Sequence, residues 1–537
     1  MKSLKYFLGS TQIKWFIRMS FFLSIFLFHL LNARLDPEVH HDGYIFTAAV
    51  AVSDGLIPNK DFFAQYGPVT PLIQGLWLKI TEPTLLNLRI LNVIFLMITS
   101  WLTFSILRNK CREFIAIIFV AAYNISTPMI LPYLLPWPSV LSTLIILACM
   151  KLLTDPNQPL NSFRSFVTGC LLSIGVFVRV HVLVVFFLLI IVFLSLKLKT
   201  NVFRFFILGF SSTFGVSVCL MLFSGSLNSY LDQVIFYPAN AYPGISAGWK
   251  VAIANFFVFT LFFFYPLIYF VINRVTYTNH FFVYFYIFSL ITLSVSLILV
   301  SRIKLIPIID RSYRNPYYLL HFLAQNFLLF VPLCSIGLFL IWLLRYLSSV
   351  IGRDRKLIDS TKLFTLAICL GSISQLYPGP DQLHAWWIAP IFISALPVWG
   401  FPIKQPLLIS GIFFLILFNG YRNYSDFLKP RFSYSSAALK GMLGTGMDIE
   451  ENMSAVSKLI GYRSAYFHCA EGAYASASGK FLSAVPDFVS WGPQTKDKLL
   501  SPGLHFSCDS RFFPIGDKTN ILWQNAAKTA VIWRRIP

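Results

Sequence analysis

Long apolar runs most strongly constrain what this chain can fold into. About 20 consecutive apolar residues cross the hydrocarbon core of a bilayer as one helix, which pairs all of its own backbone polar groups. The first run, Met19 to Ala33, follows Lys2, Lys5, Lys14 and Arg18 and precedes a poor cleavage site, so we interpret it as an uncleaved membrane anchor. Further runs lie near residues 86–107, 113–130, 138–153, 166–182, 183–197, 204–223, 251–273, 281–300, 322–344, 363–379, 385–402 and 405–420.

The sequence therefore predicts an all-α polytopic membrane protein with about 13 transmembrane helices. Its composition agrees, since 56% of the residues are hydrophobic and only 12% are charged, which excludes an ordinary soluble globular chain. Lys and Arg orient such chains because they favour cytoplasmic loops. If the N-terminus is cytoplasmic, clusters of cations such as Arg108, Lys110 and Arg112 also lie on the cytoplasmic side. An odd number of spans then places residues 421–537 outside the cytoplasm.

Two domains follow: a transmembrane domain, 1–420, with an external loop at 34–85, and an extracytoplasmic C-terminal domain, 421–537. The mixed composition of the second predicts a small α/β or mostly β domain. Cys469 and Cys508 lie within it and form a disulfide only if the fold brings them together. The net charge of +21 does not call for nucleic acid, since topology and contact with anionic membrane lipids account for it.

Acidic residues show the opposite bias to the cations. In the membrane domain, Glu113, Asp155, Asp354 and Asp359 fall on the predicted cytoplasmic face. The larger external set comprises Asp36, Glu38, Asp42, Asp54, Asp61, Glu82, Asp232, Asp310 and Asp381. This gathering of ionisable groups on one face predicts an extracytoplasmic active site in a multi-pass cytoplasmic (inner) membrane protein.

The first external loop concentrates this chemistry. Residues 35–68 hold five of the 22 carboxylates and two of the nine histidines. The pattern predicts a short helix from Tyr44 to Gly55, a turn at Ile57-Pro58 and a second half-helix from Val69 to Ile80. Two such helices lying on the membrane surface would roof a cavity in the helix bundle.

Cations at two external positions are candidates for binding a phosphate. Residues 301–321 carry Arg302, Lys304, Arg311 and Arg314, where positive charge is disfavoured. They predict either a receptor for the phosphate of a lipid-linked substrate or an interfacial helix on lipid head groups. Arg179, near His181 at the outer end of a span, is the other candidate, with snorkelling to the head groups as the alternative.

A first span followed by an external acidic loop, two surface helices, about a dozen spans and an exported C-terminal domain resembles the C-type glycosyltransferases. The bacterial branch with aminoarabinose transferases of lipid A and protein O-mannosyltransferases is the most similar. Those enzymes transfer a sugar from a polyprenyl monophosphate carrier with inversion. The resemblance implies such a lipid-linked donor, an envelope acceptor (lipid, glycan or protein) and no cofactor.

The family carries its catalytic base in an Asp-Glu pair soon after the first span. The matching position here is Asp42, in HHDGY, although Gly43 replaces the Glu. Asp36, Glu38 and Asp61 are rival bases. The resemblance also implies substrate contacts from His41, Gln65 and Tyr66. Another interpretation, a metal bound by the HHD stretch, is less favoured because adjacent histidines ordinarily point apart.

A second stretch, PDQLHAWWIAP, matches a pattern of this branch at the outer start of a late span. Asp381 and His384 would share one helix face and contact the sugar or phosphate. Trp386 and Trp387 are expected to be ordinary interfacial aromatics.

The chemistry requires these residue types. A carboxylate must take the proton of the acceptor hydroxyl as it attacks the anomeric carbon, while cations stabilise the departing phosphate. Three alternatives stay open: a polyprenyl-linked polysaccharide polymerase or ligase, a membrane transporter, and a non-catalytic scaffold. A polymerase would favour a large loop between late spans, and a transporter would favour inverted repeats, which the sequence does not display.

Overall fold

The structure is a computed structural model of the chain. It describes residues 11–37, 41–127, 137–196, 200–237, 359–376, 382–398, 416–417, 419–421, 424–425, 427–445, 447–460, 465–467, 503–507 and 519–535. The spans predicted near 251–273, 281–300 and 322–344, and most of that near 405–420, lie outside the described residues. Of the candidate site residues, Glu38, Arg302, Lys304, Arg311, Arg314 and Asp381 lie outside them too, as do Cys469 and Cys508.

Helices dominate the described part of the membrane domain. In chain order they are α1 (Thr11–Ala33), α2 (His41–Ser53), α3 (Val69–Ile80), α4 (Leu85–Arg108), α5 (Glu113–Ile125), α6 (Pro138–Thr154), α7 (Ser162–Val178), α8 (Val182–Ser195), α9 (Thr200–Ser224), α10 (Leu227–Leu231), α11 (Ser360–Ile373) and α12 (Gln382–Ala395). One π-helical turn, Asp232–Phe236, extends α10, and one 3₁₀ turn, Ser374–Leu376, extends α11. Each apolar run predicted within these residues is helical.

Three described helices, α1, α4 and α9, are long and apolar enough to cross a membrane. Helices α2, α5, α6, α7, α8 and α12 are apolar but shorter. Large apolar side chains of α1 and α9 point outward, including Leu23, Leu27, Leu220 and Phe223. A membrane accounts for such apolar outer faces, because water would disfavour them. These features are those of a membrane protein.

Close helix approach is clearest between α7 and α9. Their backbones meet at Gly169 and Gly209, where any Cβ atom would collide with a carbonyl group of the other helix. Small residues of this kind let membrane helices pack by van der Waals contact. Phe206 of α9 then stacks on Phe186 and Phe193 of α8, which joins the three helices in one packed group.

Helix ends assemble at two opposite ends of the bundle. At one end, Arg18 of α1 forms an ion pair with Glu113 at the start of α5. At the other end, Arg89 in the first turns of α4 donates to the Leu35 carbonyl just beyond α1 (2.7 Å). Consecutive helices joined by short loops run in opposite directions, so the loops alternate between the two ends of the bundle. We call the second end, which holds the first loop, the loop end.

The described part of the C-terminal region contains short strands and the helix α13. Strands β1 (Phe432–Ser433) and β2 (Leu443–Gly444) pair antiparallel, a 3₁₀ turn (Ala437–Leu439) lies between them, and α13 (Met447–Ala455) continues as a π-helical turn (Val456–Ile460). A second sheet has the order β3 (Ala465–Phe467), β4 (Gly503–Ser507), β6 (Val531–Arg535) and β5 (Thr519–Gln524), with only β3 and β4 parallel. Phe506, Ile532 and Trp533 are buried on this sheet. Strands and helices thus occur together here.

Candidate functional site at the loop end

The first loop folds as two helices joined by a capped turn. Helix α3 has the bounds predicted for it, and α2 begins at His41, somewhat before the predicted start at Tyr44. Gly55 follows α2 in the left-handed region (φ +92°), which ends the helix. The Asp61 carboxylate then accepts a hydrogen bond from the Ile57 amide (2.8 Å). Asp61, a rival candidate base, therefore caps the turn between the two helices.

Asp42 lies in the first turn of α2 and forms an ion pair with Arg89 of α4. Both side chains are wholly buried, with 0% exposure each. A buried carboxylate needs a countercharge because its desolvation costs several kcal/mol. Arg89 also donates to the carbonyls of Ala33 and Leu35, and to that of Asp36. One guanidinium therefore connects the leading candidate base to the turn that follows α1.

Aromatic rings form a continuous group beside α2, which we call the aromatic cluster: Tyr44, Tyr66, Trp137, Trp387 and His384. Trp137 is its centre, with ring centroids 5.1 Å from Tyr66 and 6.4 Å from Tyr44. Trp137 stacks almost parallel on Trp387 (5.8 Å, 6°), and His384 meets Trp387 edge-on at 5.1 Å. Residues from the first loop, from the start of α6 and from α12 therefore meet at one place.

Arg179 extends the aromatic cluster from the other side. It is the residue directly after α7, and it is only 2% exposed. Its guanidinium lies over the Tyr66 ring, 5.6 Å from the centroid, and Nη1 donates to the Ser139 hydroxyl (2.5 Å). A cation over an aromatic face is attracted by the ring quadrupole, and more strongly when both are desolvated.

A tight turn at Gly67 follows Tyr66 directly. Gly67 has φ +122°, and a Cβ atom there would collide with the carbonyl of Phe177, in the last turn of α7. Only glycine allows both this conformation and this close approach. The Gln65 amide, in the same turn, donates to the Tyr44 hydroxyl (3.3 Å). The loop turn is thus pressed against α7 two residues before Arg179.

Hydrogen bonds fix the helices behind Arg179. Ser142 of α6 donates to the Gln375 side chain (2.7 Å), and Ser374 donates to the His181 carbonyl (3.3 Å). These contacts tie α6, the connection between α7 and α8, and the end of α11 together. The segments on either side of Arg179 are therefore held together, while its guanidinium itself contacts Ser139 and Tyr66.

The predicted site residues separate into two groups. Tyr66, Arg179 and His384 belong to one connected assembly, and Gln65 joins it through its backbone amide. Asp42 lies two residues before Tyr44 on α2, and its carboxylate pairs with Arg89. The side chain of His41 is outside the described residues. Asp36 points elsewhere, toward the C-terminal region, where its carboxylate pairs with Arg431 (2.9 Å).

Two interpretations of the sequence need correction. Trp386 and Trp387 are 3% and 2% exposed, so they pack inside the bundle and are not interfacial aromatics. Trp386 donates to the Tyr123 carbonyl (3.2 Å). Snorkelling of Arg179 is also wrong, because a snorkelling side chain exposes its charge whereas this one is buried. Tertiary packing, which hydropathy does not report, decides both cases.

Sequence reasoning missed Arg89, Trp137 and Ser139. Arg89 had a usable signal: it is an ionisable residue within an apolar helical run, which marks a functional or paired position in a membrane. Trp137 and Ser139 had none, since a tryptophan and a serine at the start of a span are ordinary there. Only the contact of α6 with the first loop and α7 gives them a role.

A metal site at the HHD stretch would need the Asp42 carboxylate, which contacts Arg89 instead. Among the described residues, no group of three or more His, Cys, Asp and Glu side chains is arranged to hold a metal ion.

No protein-family model matches the sequence, and no curated protein is similar to it. Its function therefore has to be argued from the loop end itself.

Proposed function

We propose that this chain is an inverting glycosyltransferase that transfers a sugar from a polyprenyl-phosphate carrier to an extracytoplasmic acceptor in the cell envelope. The observation that carries the proposal is the assembly of Arg179 with the aromatic cluster at the loop end. A buried arginine over a tyrosine, beside stacked tryptophans and a histidine, combines a phosphate-binding cation with apolar ring faces. A lipid-linked sugar phosphate presents both kinds of surface.

The donor phosphate is assigned to Arg179. Its planar guanidinium matches phosphate oxygens in a bidentate manner and remains charged when buried. As the bond between the anomeric carbon and the phosphate oxygen breaks, negative charge grows on the leaving phosphate. A cation fixed in advance by Ser139 and Tyr66 stabilises that charge without reorganising.

The sugar is assigned to the aromatic cluster. Aromatic faces and a small number of polar groups are the usual lining of sites that bind small molecules. Tyr66, which is partly exposed, supplies ring surface, and the partly exposed His384 supplies a ring nitrogen able to bind a hydroxyl. The buried Trp387 packs behind them. His41, Gln65 and Asp381 stay in the proposal as further sugar contacts from the adjoining segments. Arg302, Lys304, Arg311 and Arg314 stay as further cations for the carrier phosphate.

The proton is assigned to Asp42. The acceptor hydroxyl oxygen bonds to the anomeric carbon, its proton passes to the carboxylate, and the electron pair of the broken bond leaves with the phosphate. A carboxylate serves as base only when ionised, and Arg89 compensates its charge in the buried site. Asp36 and Asp61 are less suited, since the first binds the C-terminal region and the second caps a turn. Glu38 remains an alternative base.

The proposal includes a topology. About 13 helices cross the cytoplasmic membrane, the N-terminus is cytoplasmic, and the loop end and residues 421–537 are extracytoplasmic. The ion pair of Arg18 with Glu113, at the end opposite the first loop, supports the alternation that this topology needs. The partners are then the lipid-linked donor, surrounding membrane lipids and an envelope acceptor, with no cofactor.

The test is sugar transfer by the full-length protein reconstituted in lipid nanodiscs. A panel of radiolabelled polyprenyl-phosphate sugars is offered with envelope extract, and both released polyprenyl phosphate and labelled acceptor are measured. We expect one donor to react, and Asp42→Asn to lower the rate by at least about a thousandfold, since proton transfer and the loop geometry both suffer.

Asp61→Asn is the matched control, because it removes a carboxylate from the same loop that only caps a turn. It should retain most of the rate at equal protein level. Full activity in Asp42→Asn would move the base to Glu38, Asp36 or Asp61. No transfer from any carrier by the wild type would refute the glycosyltransferase proposal and favour a transporter or a polymerase.

A further inference from the structure

The C-terminal region contacts the first external turn through backbone pairing. Leu35 forms a bridge with Leu443 of β2. The Leu443 amide donates to the Arg34 carbonyl (2.7 Å), and the Asp36 amide donates to the Leu443 carbonyl (2.6 Å). Residues 34–36 therefore pair with β2 through one isolated parallel bridge. Pairing of this kind gives a defined register, because each backbone group has one partner.

Asp36 is the most constrained residue of that pairing. Its backbone is in the left-handed region (φ +27°), which a residue other than glycine occupies only when its surroundings enforce it. Its carboxylate accepts from Arg431 Nε (2.9 Å) and from the Thr445 amide (2.8 Å). The Asp36 and Arg431 side chains are only 15% and 4% exposed. This pair is therefore much less screened by solvent than a surface ion pair.

The same turn is held from its other side by Arg89. The carbonyls of Ala33, Leu35 and Asp36 accept from the guanidinium that pairs with Asp42. The order of contacts is continuous: Arg431 to Asp36, Asp36 to Arg89 through its carbonyl, and Arg89 to Asp42. The C-terminal region thus reaches the proposed base through two intervening residues, Asp36 and Arg89.

We propose that Asp36 is a positioning residue, and that residues 431–445 form a clamp that fixes the turn 34–36 and, through Arg89, the Asp42 carboxylate. The inference rests on the proposed function for its catalytic consequence, but the clamp itself can be observed without any substrate. It assigns the C-terminal region a part in catalysis, and it gives Asp36 a task other than that of a base.

The first experiment measures the clamp. Hydrogen–deuterium exchange is followed by mass spectrometry for peptides covering 33–37 and 441–445 in the full-length protein in nanodiscs. Arg431→Ala should raise exchange in both peptides at least about tenfold, because the backbone pairing opens locally once the ion pair is lost. Lys440→Ala is the matched control: it removes the exposed pair with Glu82 from the same segment (65% and 53% exposed) and should leave exchange unchanged.

The second experiment measures the consequence for transfer. Arg431→Ala and Asp36→Asn should each lower kcat about tenfold or more while KM for the lipid donor changes less than about twofold, since a displaced base slows chemistry without altering donor contacts. Arg431→Lys should recover part of kcat. The double variant should be no slower than the slower single variant, because both changes remove the same interaction.

The outcomes separate the two proposals. Unchanged exchange in Arg431→Ala overturns the clamp, whatever the activity. Raised exchange with kcat unaltered overturns the positioning role and leaves a purely structural contact. Raised exchange in Arg431→Ala, together with a wild type that transfers no sugar from any carrier, refutes the proposed function, while the clamp itself stands. If the two single losses of activation free energy add up in the double variant, Asp36 and Arg431 act independently, which also contradicts the proposal.

Discussion

Both ends of the helix bundle contain an arginine–carboxylate pair, but the two pairs differ in their exposure to solvent. At the loop end, Arg89 and Asp42 are 0% exposed, whereas Arg18 and Glu113 at the opposite end are each 24% exposed. A partly solvated pair contributes little to stability and costs little to maintain. A fully buried pair is expensive to desolvate, and an apolar pair of similar size is often as stable or more so. The proposed function would account for a buried pair that is kept at the loop end despite this cost.

The largest effect should come from breaking the buried pair. Arg89→Met leaves the Asp42 carboxylate buried without its countercharge, which should lower the free energy of unfolding by about 3–5 kcal/mol. Thermal unfolding in detergent measures it. Adding Asp42→Leu to Arg89→Met should recover much of the loss, since no charge is then left uncompensated. A double variant as unstable as Arg89→Met would show that the guanidinium acts through the turn carbonyls instead.

The next effect concerns Arg179, whose guanidinium lies over the Tyr66 ring. On the proposed function, Arg179→Ala should lower kcat for sugar transfer about a hundredfold or more, because the donor assigned to the leaving phosphate is lost. Arg179→Lys should restore only a small part, since an ammonium group lacks the planar fork and stacks less well on the ring. Release of polyprenyl phosphate measures both. Equal rates in the lysine and native proteins would show that a point charge is sufficient.

A smaller effect is expected from the loop turn that carries Tyr66. Gly67→Ala must adopt a positive φ and displace the Phe177 carbonyl, which should cost about 1–3 kcal/mol of stability. Gly55→Ala is the matched control, because it also has a positive φ but nothing lies within 4 Å of the added Cβ atom. It should cost less than Gly67→Ala in the same unfolding assay. Equal losses would mean that strain, and not packing on α7, dominates.

The smallest effect should be at the opposite end. Arg18→Gln should change stability by no more than about 1 kcal/mol, because Glu113 remains partly solvated when its partner is removed. Unfolding is measured at low and at high salt. At high salt the native protein should lose most of the stability that this pair contributes, because salt screens the pair. A loss as large as that of Arg89→Met would remove the contrast between the two ends.

The sequence predicts the helices of this protein better than it predicts the contacts of the candidate site. The bounds of Val69–Ile80 and the start of the helix at Pro138 follow from local signals, apolar run length and proline position, so sequence reasoning located them well. Arg179 was singled out because a charge in an apolar run is conspicuous, and its part in the site stays a prediction. Asp36 and Asp61 could not be distinguished from Asp42 in the same way, since all three are acidic residues in one loop.

The sequence by itself determined that this chain is helical and suited to a membrane, and that one loop concentrates carboxylates. These properties depend on residues close together in the chain. The tertiary structure alone decided what each carboxylate contacts: Asp42 meets Arg89, Asp61 meets the Ile57 amide, and Asp36 meets Arg431, 395 residues away. An ionisable group takes its role from the charge and burial around it, and for Asp42 and Asp36 those come from residues distant in the sequence.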